Sequence, residues 1–326
     1  MASARWKSFA ATLVGTAALL ATAFLGCAFL IDPYDTGRSP LRLKEGIRPQ
    51  GPRTALASRG RDAQFQGVIL GNSHIQLISP ERLRAATGIP FVSLIAPGSG
   101  PREALATLDW FLRHHPGPAA RAVVVGIDPG WCSPSPAPHR ERPFPYWLLS
   151  RSLRDYLAGL VRYDLGEEIL RHLAYLNAPK AERARPDGYW DYDDGRAHPE
   201  RPQRQAELSQ PAETGGGNRH GPFPAAKDLE AAMGASPGTA LLLVRPPVYA
   251  TALPRPGSAD EAADTACREA FAGLARRRPL TVLIDGRTDR PELHDPNLFF
   301  DHGHYRQPLA RLMEERIGQA LRGLAR

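Results

Sequence analysis

Two short motifs near opposite ends of the soluble part of the chain carry the residue types of nucleophilic catalysis. Gly71-Asn72-Ser73-His74 follows the apolar run Val68-Ile69-Leu70, and Asp301-His302-Gly303-His304 lies close to the C-terminus. A serine hydroxyl is a weak nucleophile at neutral pH. It is activated by an imidazole that takes its proton while a carboxylate orients the ring. Ser73, His304 and Asp301 supply those three groups. Metal binding is the rival chemistry, because Asp301, His302 and His304, with His294 and Asp295 upstream, group oxygen and nitrogen ligands. Their spacing matches no strong zinc motif, and two histidines one residue apart share a face only in an extended segment. The sequence is therefore read as holding no metal and needing no cofactor. The plainer roles are structural: Ser73 as a turn cap and Asp301 as the cap of a terminal helix.

To meet, these residues need a scaffold, and the chain alternates short aliphatic runs with amphipathic stretches. The runs are Gly67–Leu70, Phe91–Ile95, Ala122–Ile127, Ala240–Val244 and Leu280–Ile284. Helical patterns cover Pro101–His114, Ala225–Met233, Ala259–Arg277 and Pro308–Leu324. This alternation predicts an α/β domain with a doubly wound, mostly parallel sheet. Active groups collect at the carboxyl ends of strands in such sheets. Ser73 follows the first strand, Ser99-Gly100 the second and Asp128-Pro129-Gly130 the third, so the three loops share one edge. Arg245-Pro246-Pro247-Val248-Tyr249 follows the fourth and is expected at the rim, with no chemical role. Residues 177–224 form an irregular insertion containing Gly215-Gly216-Gly217. Within it, Trp190 and Tyr192 stand among carboxylates (Asp191, Asp193, Asp194), a composition suited to stacking on sugar rings. The plainer reading is a surface loop tucked down by Trp190.

The chain has 326 residues, 42% of them hydrophobic, enough to bury a substantial core. Its formal charge of +7 is spread through the sequence and joins no nucleic-acid motif, so no nucleic-acid partner is expected. Phe9–Ile31 is an uncharged stretch of 23 residues, long enough to cross a bilayer as a helix. Ala21-Thr22-Ala23 resembles a signal-peptidase site, but the apolar run continues past it, which favours an uncleaved anchor. The expected organisation is a cytoplasmic tail (1–8), a transmembrane helix (9–31), a linker (32–66) and the α/β domain (67–326). Arg5 and Lys7 before the span are answered by Arg38, Arg42 and Lys44 after it, so charge does not set the orientation. A long C-terminal domain crosses largely regardless of charge, which places it outside the cytoplasmic membrane, in the periplasm or beyond. Cys27 falls in the anchor, leaving Cys132 and Cys267 as either a disulfide or two buried thiols.

From Gly67 to Arg326 the chain resembles the SGNH or GDSL hydrolases. Gly71-Asn72-Ser73 is similar to the family's Gly-Asp-Ser block, with asparagine in place of aspartate. Ser99-Gly100 is similar to the second block, and Asp301-His302-Gly303-His304 has the spacing of the Asp-x-x-His block before the last helix. The resemblance implies a flavodoxin-like, three-layer fold. It makes Ser73 the nucleophile, His304 the general base and acid, Asp301 its partner, and Gly100 an oxyanion donor. Asn72, His74, Trp190 and Tyr192 are the expected substrate contacts, with His74 and His302 otherwise read as neighbours that shape the site. The third block departs: Gly-x-Asn-Asp is replaced by Gly126-Ile127-Asp128-Pro129. An ionised aspartate only accepts hydrogen bonds, so Asp128 is an oxyanion donor only if protonated. With the anchor, the chain looks like the accessory proteins of cell-surface acylation, which work beside a multispanning membrane-bound O-acyltransferase. The implied activity is serine-dependent O-acyl transfer or ester hydrolysis on a surface glycan or acylated polymer. A non-catalytic glycan-binding or scaffold subunit is the alternative.

Overall fold

Runs of Val, Leu and Ile that are apolar at every position suit strands buried on both faces. Five runs, largely of this kind, form the sheet: β1 (Gly67–Gly71), β2 (Phe91–Ile95), β3 (Ala122–Gly126), β4 (Ala240–Arg245) and the half-buried edge strand β5 (Thr281–Asp285). A computed structural model describes residues 2–41, 51, 53–136, 143–162, 164–177, 184–193, 201–212 and 217–324. All strands are parallel, in the order β2-β1-β3-β4-β5. Each lies within one residue of its expected run. β5 begins at Thr281 because Leu280 takes a left-handed backbone conformation, φ 50°, that belongs to a turn.

The helices are α1 (Ala2–Ile31), α2 (Ala55–Gly60), α3 (Pro80–Thr87), α4 (Pro101–His114), α5 (Tyr146–Leu149), α6 (Leu153–Leu160), α7 (Leu165–Asn177), α8 (Arg201–Ser209), α9 (Pro224–Gly234), α10 (Ala259–Arg277) and α11 (Gln307–Leu324). Caps fix their starts: the Ser79 side chain accepts from the Arg82 N–H, and that of Ser258 from the Glu261 N–H. Side chains alternate across the sheet. Val68, Leu70, Val123, Val125, Leu241 and Leu243 face α4, α9 and α10, packing with Phe111, Leu229 and Phe271. Ile69, Val124, Leu242 and Ile284 face the opposite side and pack with Leu83 of α3 and Met313 and Ile317 of α11. The result is a doubly wound, three-layer core.

Three regions differ from expectation. The stretch 32–66, expected as a linker, is packed onto the domain in its described parts. Its short helix α2 is buried throughout, and Trp110 Nε1 donates to the Ala57 carbonyl at 2.9 Å. Alanine and glycine in α2 let it approach that indole closely. The insertion at 177–224, expected as irregular, contains α8. Asp194, Gly215, Gly216, Arg42 and Lys44 lie outside the described residues. The apolar N-terminal helix begins at Ala2, and Arg5–Ile31 is long and apolar enough to cross a membrane. Cys132 and Cys267 form a disulfide, which decides the alternative left open by the sequence.

The order 2-1-3-4-5 reverses between β1 and β3, so a crevice opens where the chain leaves these two strands. Ser73 follows β1 and Asp128 follows β3, placing both loops at that reversal.

Candidate active site

β1 ends in Gly71 at φ 144°, where an added Cβ would lie 2.9 Å from Ile75 Cγ2. This backbone is closed to other residues, and it turns the chain sharply into a 3-10 turn at Ser73–Ile75. Asn72 caps the turn, its Oδ1 accepting from the His74 N–H at 3.1 Å. Its amide donates to the Ser99 carbonyl at 3.1 Å and to Asp128 Oδ2. Asn72 therefore spends its polar atoms tying three strand-end loops together. Its expected role as a substrate contact is corrected to that of a positioning residue.

The other half of the site comes from the segment before α11. Phe299 and Tyr305 pair in an antiparallel bridge, and the Phe300 N–H donates to the His304 carbonyl at 2.8 Å. The loop so closed presents Asp301 and His304. Ser73 Oγ and His304 Nε2 are 2.8 Å apart, and His304 Nδ1 lies 2.8 Å from Asp301 Oδ2. Asp301 Oδ1 also accepts the N–H groups of Gly303 and His304, each at 2.8 Å. Burial alone would raise this carboxyl. The hydrogen bond and attraction to His304, with the two backbone donors, outweigh burial and hold it well below the usual carboxylate range. An ionised Asp301 fixes the Nδ1–H tautomer and leaves Nε2 to accept the serine proton.

Oxyanion stabilisation needs donors aimed at the reacting oxygen. The Ser73 N–H makes no hydrogen bond among the described residues. Gly100, expected as a second donor, has its N–H bound to Glu103 Oε2 at 2.9 Å in the capping box that starts α4. A helix N-terminus consumes this group, and the expectation is corrected. Asp128 is corrected too. It is buried, and it accepts from the Gly130 N–H at 2.7 Å and from the Asn72 amide. Burial pushes its pKa up, against the pull of the Gly130 N–H and of Arg287. Both of its oxygens are engaged in holding the turn, so it anchors Asn72 rather than donating to substrate.

Tyr192 is buried, donates to the Tyr305 carbonyl at 2.9 Å and packs edge-on 5.8 Å from His304. It packs against the His304 ring with its hydroxyl engaged, so its expected sugar contact is corrected. Trp190 is half-buried, and its carbonyl accepts from Gln76, just beyond the Ser73 turn. His302 binds the Gln210 carbonyl at 2.9 Å and His294 binds Asp289 at 2.7 Å, so the histidines of the metal alternative diverge. No group of three metal-ligating side chains converges among the described residues.

His74 sits with its ring centroid 4.9 Å from that of His304. Burial first, then repulsion from His304, lowers its pKa from 6.5 to about 4, so it is neutral at neutral pH. The unfolded chain therefore binds a proton between pH 6.5 and 4 that the folded chain refuses. The resulting stability is present above pH 6.5 and is lost as pH falls towards 4, by up to about 3 kcal/mol. Urea unfolding at pH 7.5 and pH 4.5 checks this: the parent should lose clearly more stability than His74→Gln. Equal losses would refute it.

His74, His302 and Gly303, sequence neighbours of Ser73, Asp301 and His304, line a cleft of about 460 Å³ that those three do not themselves line. Its walls are largely apolar, with Pro129, Pro246, Val248, Pro254 and Ala263, and the disulfide half Cys132 also lines it. Arg287 also lines it, reaching Asp264 Oδ1 at 3.3 Å, while its buried Nε has no partner among the described residues. Beneath, the fully buried Arg245 pairs with Asp264 and with Asp285 Oδ2 at 2.6 Å. Sequence reasoning gave Arg245 no role and missed Arg287. The signal was available: Arg287 stands two residues past β5, at the same strand edge as Ser73. Compared with known proteins, the chain matches no family model, and no curated protein is significantly similar to it in sequence.

Proposed function

We propose that the chain is a serine-dependent acyl-transfer enzyme, an O-acyltransferase or acyl esterase, anchored in the cytoplasmic membrane with its α/β domain outside. One observation carries this reading: Ser73, His304 and Asp301 stand in consecutive hydrogen-bond contact at 2.8 Å. His304 takes the hydroxyl proton as Ser73 attacks an ester carbonyl. It then returns that proton to the departing alcohol, and a second alcohol or water releases the acyl group by the reverse sequence. The cleft beside His74 has the size and apolar walls to receive the acyl group. The Ser73 N–H is the donor best placed for the oxyanion.

The N-terminal helix supports the anchor. The disulfide supports an oxidising compartment, since such bonds persist outside the cytoplasm. Together with the resemblance to SGNH-type accessory proteins, these features favour a surface glycan or acylated polymer as substrate and a multispanning O-acyltransferase as partner. The scaffold alternative draws on the engaged Gly100 N–H and the carboxylate at Asp128, which leave a sparse oxyanion site. Intact mass of the detergent-solubilised chain after exposure to a fluorophosphonate separates the two. A single adduct, absent in Ser73→Ala, is expected; no adduct on folded protein would leave the glycan-binding role standing.

A further inference from the structure

The apolar helix α1 does not stand apart from the domain. Its last turns pack on α6 and α7, with Phe29 edge-on to Tyr156 at 6.3 Å and Ala28 buried. Beyond the helix, Asp32 accepts from the Tyr156 hydroxyl at 3.2 Å, and the Arg38 guanidinium lies 4.7 Å over the same ring while bonding the Ser150 carbonyl. These contacts hold the end of α1 to one face of the α6–α7 pair.

A neighbouring face of the two helices is apolar and left uncovered by the described residues. On α6 and just past it, Leu153, Leu157 and Val161 recur every four residues, 50%, 38% and 68% exposed. On α7, Leu170 and Leu173 are exposed likewise. The inward residues Tyr156, Leu160 and Leu165 are fully buried, so the helices are folded against the core and still carry a second apolar face. Residues four apart lie on one side of a helix, which makes the first three a continuous stripe. Single exposed leucines are ordinary; an aligned set is a contact surface.

The position of α1 identifies what covers it. A 30-residue helix is about 45 Å long against a hydrocarbon core of about 30 Å, so its excess must lie in the headgroup layer or beyond. Leu25, Ala28 and Phe29 meet the domain within the last seven residues of that helix. Arg5 and Lys7 put that excess at the N-terminal end, so the span ends near Ile31, and α6 and α7, which meet its last turns, lie at the outer edge of the acyl chains. Arg154 and Arg162 flank the stripe, with stems able to lie along apolar surface and heads able to reach lipid phosphates.

We propose that α6 and α7 form an interfacial foot, lying in the outer leaflet with Leu153, Leu157, Val161, Leu170 and Leu173 in the acyl-chain boundary. This rests on the reading of α1 as a membrane anchor. The foot gives the domain a second attachment, so that its orientation to the bilayer is fixed rather than free about a tether.

The test uses the full chain in nanodiscs of phosphatidylethanolamine and phosphatidylglycerol. Cys27 is the free cysteine, so Cys27→Ser supplies a background for single nitroxide labels at Leu157→Cys, Leu170→Cys, Leu19→Cys within α1, and the exposed Glu315→Cys. Power saturation with oxygen and with a nickel chelate reports lipid and water contact. Labels at 157 and 170 are expected to meet oxygen and to show several-fold less nickel contact than the label at 315. Lipid contact at 19 with nickel contact at 157 and 170 would overturn the foot and leave the anchor intact. Shielding of 157 and 170 from both reagents would overturn it in favour of a protein surface. Nickel contact at 19 would defeat the anchor and the foot together.

Discussion

Ser73→Ala and His304→Ala should each lower turnover of an acyl ester about 10⁴-fold or more, a loss of about 5.5 kcal/mol of transition-state stabilisation. Without the hydroxyl no acyl-enzyme forms; without the imidazole the hydroxyl keeps its proton. The double variant should be hardly worse than either single one, because the two groups act as a unit. Asp301→Asn should cost less, about 10³-fold, since the Asp301 side chain is 55% exposed and water takes over part of its stabilisation of the imidazolium. Steady-state rates on a chromogenic ester, with circular dichroism to confirm folding, give the ranking. A His304→Ala chain that turned over like the parent would remove the triad from the mechanism.

The second large effect concerns the disulfide. Cys132 and Cys267 are 135 residues apart, and a link closing so long a loop restricts the unfolded chain by up to about 5 kcal/mol, with 2–4 typical in practice. Replacing both cysteines by serine should lower stability by that amount and Tm by about 10 °C, using the usual conversion for a domain of this size. The consequence extends to the site. Cys132 ends the 3-10 turn Pro129–Cys132, which Asp128 caps, and Asp128 holds the Asn72 amide. Releasing that turn should slow fluorophosphonate labelling of Ser73 even well below the melting temperature. Labelling at the parental rate in a chain destabilised by several kcal/mol would mean that the turn keeps its place without the link.

Most of the architecture was legible because it is periodic. Runs such as Val123-Val124-Val125 admit few readings other than a buried strand, and α10 matched its amphipathic pattern end to end. That Ser73, Asp301 and His304 would meet was legible from residue type and order. What escaped was set by partners distant in sequence. Asn72 looks free to touch substrate until Ser99 and Asp128, 27 and 56 residues away, are placed against its amide. Gly100 looks like a donor until Glu103 reaches back to it. Tyr192 looks like a sugar platform until Tyr305 accepts its hydroxyl, 113 residues on. Each depends on which loops the sheet order brings together, and composition carries no record of that. The exposed leucines of α6 were invisible for the converse reason: an apolar stripe in a sequence reads as core until the fold leaves it outside.

Ser73 and His304 are separated by 231 residues, and His304 lies just before the last helix. As the chain emerges from synthesis, Ser73 arrives before β2 to β5 and His304 only after all of them. If the proposed triad holds, a chain that stops before residue 301 carries an inert hydroxyl, however well its earlier strands assemble. On the proposed reading, reactivity at Ser73 therefore reports that the loop before α11 has closed onto the turn after β1, across the full set of strands between them.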